Sequence, residues 1–254
     1  MNLRILGCNG SPYPGKYSSC FLINNDLLID AGSVASQLDI NERRKIKYVL
    51  ISHMHLDHIK ELGFLPPSRD MNHDTPIQII APKAIISALR SHIFNSNIWF
   101  DYSNTNKFNP APLIYFPILE KKYYNFSEYD IMAVPVSHTV PTYSYIIKNG
   151  AVVFGYSSDT GPSCEFWNYC RINKVKDIII ECSLPNSQLK KAHIDGHLTP
   201  TLLNSIVREN NLGSCNLYVF HLKPKRRLEI MDELYDLKLK NLIILEDNQE
   251  FKLT

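Results

Sequence analysis

Residues 46–52 read IKYVLIS, a nearly unbroken run of β-branched and apolar side chains. A run of this kind suits a strand buried on both faces, so the chain must supply cover on either side of it. The run ends directly in His53-Met54-His55-Leu56-Asp57-His58, three imidazoles and a carboxylate within six positions. This is either a metal site or the chance product of a polar turn. At this histidine and aspartate content, a chance match is on the order of one in a thousand for the whole chain. His53 and His55, two apart, can point the same way from an extended turn. Asp57 and His58 then point elsewhere, which leaves room for two metals.

The same arrangement recurs along the chain. Asp30 ends LLID, His138 follows VPVS, Asp159 follows FGYSS and His221 follows YVF. Five apolar strands therefore each hand a polar residue to a loop on their C-terminal side, and residues remote in sequence can converge in this way at one sheet edge. Neutral imidazoles and carboxylates hold Zn²⁺, Mn²⁺ or Fe²⁺ in hydrolytic sites. A carboxylate such as Asp159 could bridge two such ions, with a hydroxide bound between them.

Strand patterns alternate with helical ones throughout. SSCFLIN and DLLIDAG form a hairpin at Asn24-Asn25, and TYSYIIK and AVVFGY form another for which Asn149-Gly150 favours a primed turn. A helical pattern covers KAIISALRSHIF. Thr199 is positioned as N-cap and Pro200 as first residue of a helix over TPTLLNSIVREN. RRLEIMDELYDL is amphipathic, and residues 66–76 read as a loop. There is neither an internal repeat nor a linker, so residues 1–254 are expected to form one α/β domain with strands in two sheets.

Composition removes several function classes. With 44% hydrophobic and 20% charged residues the chain is an ordinary globular one. A net charge of +2 gives no pull toward nucleic acid or acidic membranes. The dense basic stretch from Lys223 to Arg227 reads as a solvated helix start, with attraction of a phosphate as the alternative. The six cysteines contain no Cys-x-x-Cys pair and lie in apolar surroundings, which suggests buried thiols in a reducing compartment. No run approaches membrane-spanning length or a signal peptide, so a cytoplasmic protein is expected.

Taken in order, Asp30, the 53–58 cluster, His138, Asp159 and His221 resemble the metallo-β-lactamase-fold hydrolases over essentially the whole chain. The resemblance implies a four-layer αββα sandwich with two mixed β-sheets and the site at one edge. It also implies that His53, His55 and His138 hold one divalent ion and that Asp57, His58 and His221 hold the other. Asp159 would bridge the two, and Asp30 would orient the cluster from behind. Zinc is the first expectation, with manganese and iron as alternatives.

HLDHI together with ECSLPN, DGHLTP and FHLKP is similar to the class II 3',5'-cyclic-nucleotide phosphodiesterases, as is SHIFNSNIW over 91–99. Glu61, Gly63 and Pro66 depart from the pattern of that subgroup. In related phosphodiesterases a histidine matching His197 protonates the leaving group. Glu181, at the end of DIIIE, would orient it, and Asp57 joins these two among the catalytic candidates. His193 and Asp195 are neighbours that could take the role of His197. His92 and Asn95 are the candidates for lining the substrate pocket.

The implied activity is hydrolysis of cAMP or cGMP to the 5'-monophosphate. Alternatives are a related phosphodiesterase acting on a cyclic dinucleotide, a ribose cyclic phosphate or a tRNA 3' end, and a non-catalytic nucleotide sensor. The near-neutral chain and the lack of a long basic insertion argue against an RNA partner. The implied partner is a small cyclic nucleotide, and a homodimer is the oligomer to expect first.

Overall fold

The computed structural model describes residues 1–162 and 165–254. Its strands are short and apolar where they are buried. The first six are β1 (Asn2–Gly7), β2 (Cys20–Ile23), β3 (Leu27–Ile29), β4 (Tyr48–Leu50), β5 (Ile77–Pro82) and β6 (Leu113–Ile118). Seven more follow as β7 (Tyr123–Phe126), β8 (Tyr129–Val136), β9 (Thr142–Asn149), β10 (Val152–Tyr156), β11 (Asp177–Glu181), β12 (Asn216–Phe220) and β13 (Leu242–Ile244). The last strand, β14 (Glu250–Lys252), returns to lie beside β1.

These strands make two sheets of seven, ordered β14-β1-β2-β3-β4-β5-β6 and β13-β12-β11-β10-β9-β8-β7. Each sheet has three antiparallel pairings at one end and three parallel ones at the other. The change from one to the other falls at β3 in the first sheet and at β10 in the second. The sequence contains no repeat, yet its two halves share one pairing scheme.

Apolar faces of both sheets meet in the middle, where Phe21 packs against Tyr156 and Phe220 with ring centroids 5.5 and 5.3 Å away. A second apolar cluster lies under the helices of the other sheet. It takes Phe166 and Trp167 from α5 (Phe166–Ile172), Leu203, Ile206 and Val207 from α7 (Pro200–Glu209), and Ile230 and Leu234 from α8 (Arg227–Asp236). On the first sheet, α4 (Lys83–His92) buries Ile85, Ile86 and Leu89 against the core. The result is the expected four-layer αββα arrangement. No described helix is long and apolar enough to cross a membrane.

Several local expectations hold. The first hairpin turns at Asn24 and Asn25, both with positive φ (47° and 68°). Thr199 caps α7 by accepting from the Leu202 N–H. Cys8, Cys20, Cys182 and Cys215 are buried and unbridged among the described residues, Cys170 is buried, and Cys164 lies outside the described residues.

Two expectations change. Asn149 pairs with Val152, so the second hairpin turns on Gly150-Ala151 rather than on Asn149-Gly150. Only Gly150 has positive φ there (58°), the pattern of a type II′ turn. The basic stretch is also not wholly solvated. Arg227 is 9% exposed and pairs with Glu246, because the C-terminal segment folds back over it.

Candidate metal centre

Direction of the strands creates the site. Asp30 and His53 follow β3 and β4, which are parallel neighbours in the first sheet. In the second sheet, β8 and β10 both run antiparallel to β9, and β11 and β12 run parallel to β10. Their C-terminal ends therefore share one edge, which receives His138, Asp159, Glu181 and His221. The sheets are tied together beside this edge by the Tyr145 hydroxyl, which donates to the Ile51 carbonyl at 2.8 Å.

All seven expected ligands converge. His55 Nδ1 lies 3.1 Å from His53 Nε2 and 3.2 Å from His138 Nε2. On the other side, His221 Nε2 lies 3.4 Å from His58 Nε2 and 3.3 Å from Asp57 Oδ2. Asp159 stands between the groups. Its Oδ2 is 3.8 Å from His53 Nε2 and 3.3 Å from His221 Nε2, and its Oδ1 is 3.5 Å from His58 Nε2.

Atoms held about 2.1 Å from a shared tetrahedral centre lie about 3.4 Å apart, so the spacings within each group suit a common cation. Asp159 Oδ1 is also a buried oxygen without a hydrogen-bond partner among the described residues. The donor set therefore fits divalent metal ions.

For four of the five rings the opposite nitrogen is occupied, which fixes where the inward one points. His58 Nδ1 is 2.7 Å from Asp30 Oδ2, and His138 Nδ1 donates to the Gly196 carbonyl at 2.9 Å. His53 Nδ1 meets Ser52 Oγ at 3.0 Å, and His221 Nδ1 meets Ser183 Oγ at 2.8 Å. Each serine hydroxyl in turn donates to a carboxylate, Ser52 to Asp30 at 2.8 Å and Ser183 to Glu181 at 2.7 Å. One carboxylate–serine–histidine unit thus stands behind each half of the site.

Sequence reading missed Ser52, Ser183 and Tyr156, whose hydroxyl donates to Asp30 at 2.6 Å. The available signal was alternation, since Ser183 stands two residues beyond Glu181 and so shares its face of the extended chain. Asp30 and His221 hold left-handed backbone (φ 55° and 71°). Such strain persists only where the surroundings enforce it.

His197 is the one of its three neighbours that joins the cluster. Its ring lies 4.9 Å from that of His138, and its Nδ1 is 2.8 Å from Glu181 Oε1. His193 is exposed, and Asp195 pairs with Lys191. Gly196 adopts φ 65°, and a side chain there would meet His138 Cα at 2.7 Å.

Burial disfavours charge on all these groups, but the local fields differ. Burial and the surrounding imidazoles push His53 well below the ordinary histidine pKa. For Asp159, burial is outweighed by the imidazoles of His221 and His58, which hold its carboxyl well below the usual range. For His197, burial is outweighed by Glu181, which raises the imidazole above its ordinary value.

The pocket-lining candidates stand differently. His92 is exposed at the end of α4. The Asn95 side chain serves its own loop, donating to the Ser91 carbonyl and accepting from the Asn97 and Ile98 N–H groups at 2.8–2.9 Å. Glu61, foreign to the subgroup pattern, accepts from the backbone of Ala35 and Ser36 at 2.8 Å. It thereby caps the short helix α1 (Val34–Gln37).

Known proteins share this architecture. A 3',5'-cyclic-nucleotide phosphodiesterase of Aliivibrio fischeri is 26% identical over 86% of this chain and 80% of its own length. The crystal structure of unliganded yeast PDE1 superposes with a TM-score of 0.83 at 21% identity, covering 98% of both chains. The metallo-β-lactamase-fold protein YhfI of Bacillus subtilis superposes with a TM-score of 0.78 at 19% identity, again over 98% of each. The family model described as Anti-Pycsar protein Apyc1 matches residues 1–209 of the 254, and with its metallo-β-lactamase fold the chain belongs to that family.

Proposed function

We propose that this chain is a metal-dependent phosphodiesterase that opens a 3',5'-cyclic nucleotide, cAMP or cGMP, to the 5'-monophosphate. The observation that carries the reading is Asp159 between two ligand groups, with the Glu181-held His197 against the same cluster. The name of the Aliivibrio fischeri relative supports the substrate class.

His53, His55 and His138 would hold one divalent ion and Asp57, His58 and His221 the second, zinc or else manganese or iron, with Asp159 shared. Two ions so held supply positive charge for the phosphoryl oxygens and a nucleophile drawn from water near neutral pH. Asp30, Ser52 and Ser183 keep the imidazoles aimed inward. Glu181 occupies Nδ1 of His197 and favours its protonated form, which leaves Nε2–H as the donor. As the new P–O bond forms and the P–O3' bond breaks, that proton passes to O3' and the 3'-hydroxyl leaves neutral. General-acid help of this kind is worth about 10²–10⁴-fold.

Incubating the metal-loaded protein with cAMP and with cGMP and separating the products by chromatography tests the reading. AMP and GMP are expected. His197→Ala is expected to lower kcat by about 10²–10⁴-fold while leaving metal content intact. Unchanged cAMP and cGMP at full metal occupancy would overturn the substrate assignment. A His197→Ala enzyme with full activity would remove the proton donor.

A further inference from the structure

Beside the histidine cluster lies an apolar recess of about 200 Å³, walled by Leu56, Gly63, Phe64, Ile98 and Trp99, with Lys60 at its margin. Leu56 is bonded directly to His55 and Asp57, one residue from each ligand group, and is 67% exposed. Ile98 and Phe64 are 66% and 43% exposed. Leu56, Phe64 and Ile98 thus leave apolar surface open around a recess that adjoins the ligand-bearing 53–58 segment.

The wall is built for a flat ring. Trp99 Nε1 donates to the Gly63 carbonyl at 2.9 Å, which fixes the indole and uses up its only polar atom. Gly63 permits this approach, because a Cβ there would lie 2.8 Å from Trp99 Nε1. Phe64 meets the indole edge-on, at 5.3 Å between centroids and 75° between planes. The Lys60 ammonium is engaged with Glu61 at 2.8 Å. A recess of this size is below that of ordinary drug-sized pockets, which favours a single heterocycle over a polypeptide segment.

We infer that this recess receives the purine or pyrimidine base of the nucleotide whose phosphate lies at the histidine cluster, packed against Trp99 and Phe64. The inference deepens the proposed phosphodiesterase reading and rests on it for the position of the phosphate. Base-on-aromatic stacking needs no hydrogen bond from the protein and is worth roughly five-fold to a hundred-fold in affinity for each aromatic removed.

The test uses the full metal-loaded chain, whose two tryptophans are Trp99 and the buried Trp167. AMP, which carries a base, and ribose 5-phosphate, which does not, are titrated against tryptophan emission. AMP is expected to change the emission and ribose 5-phosphate to leave it unchanged. Trp99→Phe is expected to abolish the response, and Phe64→Ser to weaken AMP binding at least about five-fold and to raise KM for cAMP in proportion.

Equal responses to the two probes, no response to AMP, or an undiminished AMP affinity in Phe64→Ser would overturn the inference. So would sedimentation showing that the recess is buried between two copies, with Phe64→Ser converting dimer to monomer. An AMP response without cAMP turnover keeps the base recess and defeats the phosphodiesterase reading. Turnover without an AMP response does the reverse.

Discussion

Replacing Asp30 by alanine is expected to be among the most damaging single changes in the molecule. Its carboxylate is fully buried and takes four donors. Oδ1 accepts from the Ser52 N–H, and Oδ2 accepts from the Ser52 hydroxyl, the Tyr156 hydroxyl and His58 Nδ1. Each buried donor left unpaired costs about 1–3 kcal/mol. Two of the four are hydroxyls that can rotate toward other acceptors, so a loss of about 4 kcal/mol is expected for Asp30→Ala.

Asp30→Asn separates geometry from charge. With the amide oxygen at the Oδ2 position, three donors keep their acceptor and only the Ser52 N–H faces an NH₂ group. One conflict in place of four losses predicts a cost of about 1–3 kcal/mol. Urea unfolding in EDTA, followed by both circular dichroism and tryptophan emission, measures each variant free of metal linkage. A loss below about 1 kcal/mol for alanine, or equal losses for alanine and asparagine, would refute the hydrogen-bond account. Because Asp30 also fixes the His58 ring, both variants are expected to bind metal about 10–100-fold more weakly.

Other expectations are simpler. Glu61 has its carboxyl pKa lowered overall: burial works to raise it, and the hydrogen bonds from Lys60 and Ser36 outweigh that. A depressed carboxylate adds stability above its unfolded pKa and loses it as pH falls through the folded value. Glu61→Gln should therefore be less stable than the parent at pH 7, with the gap closing below about pH 4 in denaturant titrations at several pH values. Thr199→Ala should lose about 1 kcal/mol through the lost helix cap, read by the same unfolding curves. Zn²⁺ added to EDTA-treated protein should raise Tm with a dependence on metal concentration, and an unchanged Tm would argue against a site held by the fold.

The sequence displayed the site more fully than it displayed the fold around it. Imidazoles and carboxylates at strand ends stand out because each interrupts an apolar run, as His53 does after Leu50 and Ile51. Ser52 and Ser183 carry no comparable mark, since a serine at a strand end is equally an ordinary turn residue. Strands β6 and β7 carry no clear strand pattern, because residues 113–126 mix proline, lysine and tyrosine and β6 is an edge strand with Ile114 and Phe116 exposed. Asn149-Gly150 pointed to the right turn with the register one residue off, as pairing with Val152 decides which residues are central. Arg227 reads as solvated from the local pattern because its partner, Glu246, comes from a later segment.

The candidate metal centre draws its residues from both sheets and brings together positions far apart in the chain, His58 and His221 being 163 positions apart. Closing so long a loop is entropically costly, and pairings of this range form slowly in folding. The 53–58 segment can present its imidazoles early, but Asp57 and His58 gain His221 only when the second sheet has docked on the first. A cation held between the sheets would then be captured late, as a latch on an almost finished chain.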